Sequence, residues 1–371
     1  MGAWGDRVAA RNDAIRASGR WRSVRALETG APATTLSATG VPVVSFASND
    51  YLGLSQHDAP IAVGRHALAH YGAGAGAARL IVGGRPVHER LEDELADWCD
   101  REAALLFPTG YQANLGVLGA LAGCSSETVI YSDELNHASI IDGCRLAPAE
   151  VAVYRHASVE HLAELLAARP GRPAIVVTDS VFSMDGDVAP LDELAGLCEQ
   201  HDALLVVDEA HAVLADAAPA GAVVVGTLSK TLGAVGGFVA ADRATIDLCT
   251  NVARSFIFTT AGAPADAAAA LAALRVLRSD EGAALVARLR ANVERIAPGH
   301  GSPILPIVLG SEERAVSVAG ALLERGVLVP AIRPPTVAPG TCRLRVAISA
   351  AHTDDQLDLL RDSLEDLGVR C

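Results

Sequence analysis

Lys230 closes the stretch Gly226-Thr227-Leu228-Ser229-Lys230, with Gly233 and Gly236-Gly237 just beyond, directly after the apolar run Ala222 to Val225. A strand ending in such a loop presents its amine at a site instead of to bulk water. Lysine acts as a Schiff-base nucleophile only when desolvation or a neighbouring cation lowers its pKa, and glycines let a ring-sized ligand approach the backbone. Taken alone the stretch reads more readily as a surface loop. Upstream, the run Leu204 to Val207 ends in Asp208-Glu209-Ala210-His211, and Ala174 to Thr178 ends in Asp179-Ser180-Val181-Phe182-Ser183-Met184-Asp185-Gly186-Asp187. An acid, an imidazole, an amine and a hydroxyl thus stand at the C-terminal ends of apolar runs, the edge where open α/β sheets bind ligands.

The elements that would position them follow from periodicity. Val87 to Cys99 and Leu191 to His201 place Leu and Ala at helical spacing with charges opposite, whereas the apolar runs are continuous and β-branched. That pattern predicts an α/β fold, a parallel or mostly parallel central sheet flanked by helices. After Leu277 it changes to helices at Glu281 to Ile296, Arg314 to Glu324 and Thr353 to Leu367 between short strands such as Ile304 to Leu309 and Arg343 to Val346. The division predicted is an N-terminal segment over 1–45, a large domain over 46–277 and a smaller α+β C-terminal domain over 278–371.

Composition narrows the function classes. The chain has 371 residues, 50% of them hydrophobic, enough for a large core and two or three units. A net charge of −14 argues against a nucleic-acid surface. Seven cysteines, odd in number, scattered and without a C-x-x-C pair, suggest neither a disulfide framework nor a metal site, and predict a reduced cytoplasmic protein. Met1-Gly2 opens like a myristoylation signal, but Asp6 stands where Ser or Thr is required. The Ala-rich stretch Ala261 to Leu277 is interrupted by Pro264, Asp266 and Arg275, so a soluble core helix is predicted and no membrane span.

A carboxylate beside a pyridinium nitrogen keeps it protonated and makes the ring an electron sink, while a lysine condenses with an aldehyde. Both are recurring parts of pyridoxal phosphate sites. Pro108-Thr109-Gly110-Tyr111-Gln112-Ala113-Asn114, after Leu105 to Phe107, reads as a helix start whose backbone donors suit the phosphate.

With these motifs the chain resembles the α-oxoamine synthases, fold-type I pyridoxal phosphate enzymes. The resemblance runs from about Arg20 to the C-terminus, through Ser48-Asn49-Asp50-Tyr51-Leu52-Gly53-Leu54, Thr109-Gly110-Tyr111, Asn136-His137-Ala138-Ser139, Val181 to Gly186, Asp208 to His211, Thr227 to Lys230 and Ile332-Arg333-Pro334-Pro335-Thr336. It implies that Lys230 joins the cofactor and later moves the proton at the amino-acid Cα. It places Asp208 at the pyridine nitrogen, His211 at the phenolic oxygen and His137 on the ring face, with Ser183 and Thr227 in contact. Gly110 and Tyr111 would cradle the phosphate, which Thr259 or Thr260 would reach across a homodimer interface. Arg333 would grip the substrate carboxylate; Asn49, Thr336 and Arg22, or Arg20, would contact substrate. The implied reaction condenses an amino acid with an acyl-CoA and releases carbon dioxide, and the Ile332 to Val337 stretch is similar to the pimeloyl-using, alanine-using members more than to the glycine-using ones.

Departures from the family pattern fall at Gly72-Ala73-Gly74-Ala75-Gly76-Ala77-Ala78-Arg79, where relatives carry Gly-Ser, at Ala212, where they carry Gly, and in the connection to Thr227, which is shorter. They bear on channel shape, dimer surface and acyl specificity. Two other classes share single motifs with this chain. Asp208-Glu209-Ala210-His211 is the box of one helicase group, but the required phosphate loop is missing, since Gly221 to Gly226 is followed by Thr227 and lies after the box. Gly72, Gly74 and Gly76 suggest a dinucleotide loop, but no apolar strand precedes them.

Overall fold

The computed structural model describes residues 2–370, so Met1 of the N-terminal dipeptide and the seventh cysteine, Cys371, lie outside the described residues. Helix α1 (Ala3–Ala17) precedes a hairpin of β1 (Ala33–Leu36) and β2 (Val41–Ser45), then α2 (Asp58–Tyr71) and α3 (Pro86–Trp98). The chain then alternates: β3 (Ala103–Phe107), α4 (Gly110–Ala122), β4 (Val129–Asp133), α5 (Ala138–Leu146), β5 (Glu150–Tyr154), α6 (Val159–Ala167), β6 (Ala174–Asp179), α7 (Leu191–Gln200), β7 (Ala203–Asp208). Next come β8 (Val223–Thr227), β9 (Gly237–Ala241), α8 (Arg243–Val252), α9 (Arg254–Ile257) and α10 (Pro264–Leu277).

Strands β3 to β9 form a seven-stranded sheet in the order β3-β9-β8-β7-β6-β4-β5. Pairings from β8 through β5 are parallel, and β9 is antiparallel to both β8 and β3. Both faces are covered. Val176, Val207 and Val224 face one apolar core, whereas Ile175, Val177, Val206 and Val225 face the other. That period-two alternation is why the strands read as unbroken apolar runs. The Ala-rich stretch is α10, packed through Ala267, Ala270, Leu271 and Leu274. Among the described residues no helix is long and apolar enough to cross a membrane.

The remainder comprises α11 (Asp280–Ile296), β10 (Ile304–Gly310), α12 (Glu312–Glu324), β11 (Val327–Leu328), β12 (Ala331–Ile332), β13 (Cys342–Ala347) and α13 (Asp354–Asp366). Strands β10, β13 and β12 form an antiparallel sheet with β13 central. The N-terminal segment joins this part of the molecule: β11 pairs in parallel with β2, and the Ala347 N–H donates to the Phe46 carbonyl at 2.8 Å.

Between β7 and β8 the chain turns back through residues 209–222, a connection tied down by Arg101. Its guanidinium donates to the carbonyls of Ala222 (2.8 Å), Pro219 (2.7 Å) and Ala218 (3.2 Å), and to those of Cys99 and Asp100. One side chain therefore satisfies backbone acceptors that the irregular stretch after a single 3-10 turn, Ala212–Leu214, leaves open.

Candidate active site

Register brings the two acids together. β6 and β7 pair so that Asp179 lies beside Asp208 at the C-terminal edge. Asp208 is buried; its Oδ2 accepts from Asn114 Nδ2 at 2.7 Å and its Oδ1 from the Ala210 N–H at 2.9 Å. Asp179, also buried, accepts the His137 backbone N–H at 2.7 Å. Burial, with Asp208 next door, holds the Asp179 carboxyl well above the usual range.

The loop after β8 delivers Lys230 to the same edge, its Nζ 2.8 Å from His211 Nε2. Burial lowers the pKa of this amine and Arg345 acts in the same sense, while Asp208 and Asp179 oppose. The other nitrogen of His211, Nδ1, is 2.6 Å from the Tyr51 hydroxyl. Burial, then the charge of Lys230, keeps His211 well below its ordinary value, so the ring is neutral at physiological pH. His137 caps α5 with Nδ1 2.7 Å from Ser139 Oγ, and the residue is exposed. Its pKa is also lowered, by the protein around it first, with Asp208 opposing and Lys230 reinforcing.

Helix α4 starts at the next corner. Thr109 caps it by accepting the Gln112 N–H at 3.1 Å, and the N–H groups of Gly110 and Tyr111 open it as first-turn donors. A Cβ on Gly110 would sit 3.2 Å from the Thr227 Cβ, and one on Gly237 would meet the Gly110 nitrogen at 2.3 Å, so only glycine permits this approach. Thr227 Oγ1 donates to the Gly236 carbonyl at 3.0 Å. Thr259 receives Gln112 Nε2 at 3.3 Å, which places it behind the same corner, while Thr260 is exposed. Tyr111 is exposed and donates its hydroxyl to Asp142.

Arg333, predicted to grip the substrate carboxylate, donates to the Gly19 carbonyl at 2.9 Å, next to the Arg20–Glu312 ion pair at 2.6 Å. Arg345 is buried, donates to the Ser183 carbonyl and to Asn49 Oδ1 (3.0 Å), and its charge acts on Lys230, His211 and Tyr51. In β13, Arg343 and Arg345 are two residues apart and point from one face of the strand toward the loop after β6, where Arg343 pairs with Asp185. Arg333 follows β12 and turns to the N-terminal segment, with Thr336 exposed one turn on and Arg22 exposed nearby in sequence to Arg20.

Sequence reasoning also passed over Tyr51, Asn114 and Asp179 as members of the site. Tyr51 links Asn49 (3.1 Å) to His211, and burial pushes its phenol up to about 12, so it stays protonated. The signal available was position alone: each lies inside a motif that was singled out for a neighbour.

An amine with a lowered pKa, a carboxylate fixed by an amide and a backbone N–H, an exposed imidazole, and helix N-terminal donors at the next corner fit what pyridoxal phosphate asks for at its aldehyde, ring nitrogen, ring face and phosphate. Fold and donor set together define a fold-type I pyridoxal phosphate enzyme. Residues 41–364 match the family model described as aminotransferase class I and II. The chain is 48% identical to 8-amino-7-oxononanoate synthase from Anaeromyxobacter dehalogenans over 95% of its own length and 93% of the relative's. It is 47% identical to the same enzyme from Alkalilimnicola ehrlichii, over 93% of each. The chain belongs to the 8-amino-7-oxononanoate synthase family of the class I and II aminotransferase fold. Among solved structures it is similar to serine palmitoyltransferase from Sphingomonas wittichii, with a TM-score of 0.88, 30% identity and coverage of 99% of this chain and 98% of that one. It is similar too to 8-amino-7-oxononanoate synthase from Francisella tularensis, with a TM-score of 0.72, 26% identity and coverage of 88% and 98%.

Proposed function

We propose that this chain condenses L-alanine with a pimeloyl thioester, on CoA or a carrier protein, giving 8-amino-7-oxononanoate, carbon dioxide and the free thiol in biotin synthesis. The observation that carries the reading is Lys230, its amine depressed by burial, at the same sheet edge as Asp208, with the charge of Arg345 acting on it. Pyridoxal phosphate is the cofactor. When bound it supplies an aldehyde for amine condensation and a ring that accepts the electron pair released at the substrate Cα.

The chain's own residues do the rest. Lys230, its pKa lowered by burial, would hold the cofactor through its amine and would move the proton at the substrate Cα. Asp208, held by Asn114 and the Ala210 N–H, keeps a proton on the ring nitrogen. His211, fixed by Tyr51, would hold the cofactor's phenolic oxygen, and His137 would hold its ring and polarise the acyl carbonyl. The guanidinium of Arg345 holds the alanine carboxylate, a charge-assisted pair that orients the Cα bonds. Arg333 and Arg20, brought together at the N-terminal segment, and Thr336, whose N–H donates to the Arg333 carbonyl, suit the far carboxylate of a pimeloyl chain. Arg22 and Asn49 complete the proposed substrate contacts, and Ser183, Thr227, Gly110, Tyr111, Thr259 and Thr260 those of the cofactor.

The assembly proposed is a homodimer. The exposed apolar residues Leu80, Ile81 and Val82 sit beside α9 and Phe258, the neighbourhood of Thr259 and Thr260. A cytoplasmic setting accords with six described cysteines that are all free. Borohydride reduction of the holoenzyme followed by peptide mass spectrometry tests the cofactor reading: a phosphopyridoxyl adduct on Lys230 supports it, and an adduct elsewhere ends it. Product analysis with alanine, serine or glycine plus pimeloyl-CoA tests the substrates, alanine being the amino acid expected to give product.

A further inference from the structure

The loop 181–188 between β6 and α7 is held from two sides. Toward the C-terminal part, Ser183 and Met184 give their carbonyls to Arg345 and Arg343, and Asp185 pairs with Arg343. Gly186 has φ +71° and lies so close to the Ile304 carbonyl that a Cβ would stand 2.2 Å from it. Toward the outer edge of the large sheet, the loop meets His156, on the turn after β5. His156 Nε2 is 2.6 Å from Asp187 Oδ2, its Nδ1 is 3.1 Å from Asp133 Oδ1, and Phe182 packs edge-on against its ring at 4.4 Å.

The chemistry of this contact is demanding. Both ring nitrogens face carboxylate oxygens, so both must donate and the ring is an imidazolium. Burial works to lower its pKa, but the hydrogen bonds to Asp133 and Asp187 outweigh it and the value is raised. The charged groups around it are Asp133 at the end of β4, Glu134, which accepts the His156 N–H at 2.9 Å, and Asp187. Asp133 is also anchored by the N–H groups of Leu135 and Ala157, each at 2.8 Å, whereas the second oxygen of Asp187 is buried without a hydrogen-bond partner. Asp133 is thus the fixed post, and His156 is what ties the loop to it.

We propose that His156 is a positioning residue for amino-acid binding: by bridging Asp133 and Asp187 it sets the loop whose Ser183 carbonyl aims Arg345 into the site. The inference rests on the reading of Arg345 as the holder of the amino-acid carboxylate. A loop displaced on its His156 side carries the Ser183 acceptor with it, and Arg345 then pairs with Asn49 alone.

The test uses the holoenzyme with His156→Gln, which keeps one donor and no charge, His156→Phe, which keeps neither, and Asp187→Asn. Arg345→Gln is measured in parallel. For the Phe variant the expected KM for alanine rises about tenfold with kcat changed less than about threefold, because a misaligned binding group costs ground-state and transition-state affinity alike. The Gln and Asn variants should fall between it and the parent, with KM for the acyl thioester and the bound-cofactor absorbance unchanged. The proposal is overturned if alanine KM stays within about twofold in all three, or if kcat, cofactor occupancy and thermal midpoint fall together, as a merely structural residue would dictate. If Arg345→Gln raises alanine KM while the His156 and Asp187 variants do not, the inference fails and the carboxylate reading stands. If Arg345→Gln leaves it unchanged, both fail.

Discussion

At the scale of single residues, burial sets the chemistry and the hydrogen-bond partners decide its direction. Lys230 and His211 are both lowered by desolvation, yet only His211 has a second nitrogen committed to a buried phenol. Tyr51→Phe removes that hydroxyl and leaves His211 Nδ1 and one bond of Asn49 unmet. An unsatisfied buried polar group costs about 1–3 kcal/mol, so kcat/KM with alanine should fall about tenfold or more while Arg345 keeps its Ser183 contact. Steady-state kinetics check this, and a variant at parental rate would show that His211 needs no such support. His88 shows the same physics away from the site. Its Nδ1 accepts the Arg85 N–H at 3.0 Å, its Nε2 is 3.1 Å from the Gly262 carbonyl, and burial followed by the Arg79 charge lowers its pKa from 6.5 to about 4. The unfolded ring takes a proton near 6.5 and the folded ring refuses it until about 4, so this contribution is whole above 6.5 and is lost as pH falls. Against His88→Gln, the parent's advantage in urea-derived stability should shrink by something on the order of 3 kcal/mol across that window.

At the scale of elements, much was legible in the chain itself. Buried strands such as β6 and β7 read as β-branched runs because both faces meet apolar cores, and acids at their ends marked the C-terminal edge. What was not legible depended on rotation and distance. Nothing local says that β13 turns Arg345 toward Lys230 while Arg333, after β12, faces Gly19, since a strand's face is set by its pairing with β10. Nor does any pattern announce that β2 will pair with β11 near the far end of the chain. The connection after His211 belongs here as well. It is irregular, yet Arg101 gathers the carbonyls of Ala218, Pro219 and Ala222. Arg101→Ala leaves several of these acceptors to water or to nothing, and a loss of about 2–3 kcal/mol follows. Urea denaturation should show the lowered midpoint, and limited proteolysis should find new cleavage within residues 212–222; an unchanged digestion pattern would mean the connection holds itself.

At the scale of the whole molecule, the remaining question is what covers the apolar surface beside the α4 corner. Ile81, Val82 and Phe258 are 73%, 69% and 71% exposed, and the first two belong to a single π turn, Arg79–Gly83, against which α9 packs. That turn is well braced from behind: Arg79 makes a two-pronged pair with Glu92, both bonds at 2.9 Å, and the Ala261 N–H donates to the Ala77 carbonyl at 3.0 Å. A braced segment that holds three successive apolar side chains outward loses favourable burial unless a partner supplies it. A second copy related by a two-fold axis is the simplest partner, because the same patch then serves both sides. Thr259 and Thr260 follow directly on Phe258, so closing this patch brings a neighbour to the phosphate corner of the cleft. Ile81→Asp places a carboxylate at the centre of the patch. Sedimentation velocity at micromolar concentration should then show a monomer where the parent sediments as a dimer. Cofactor affinity should fall with it by about tenfold or more if the neighbour completes the phosphate site. A monomeric variant that bound cofactor as tightly as the parent would separate the interface from the site, and a dimeric variant would move the interface elsewhere on the surface.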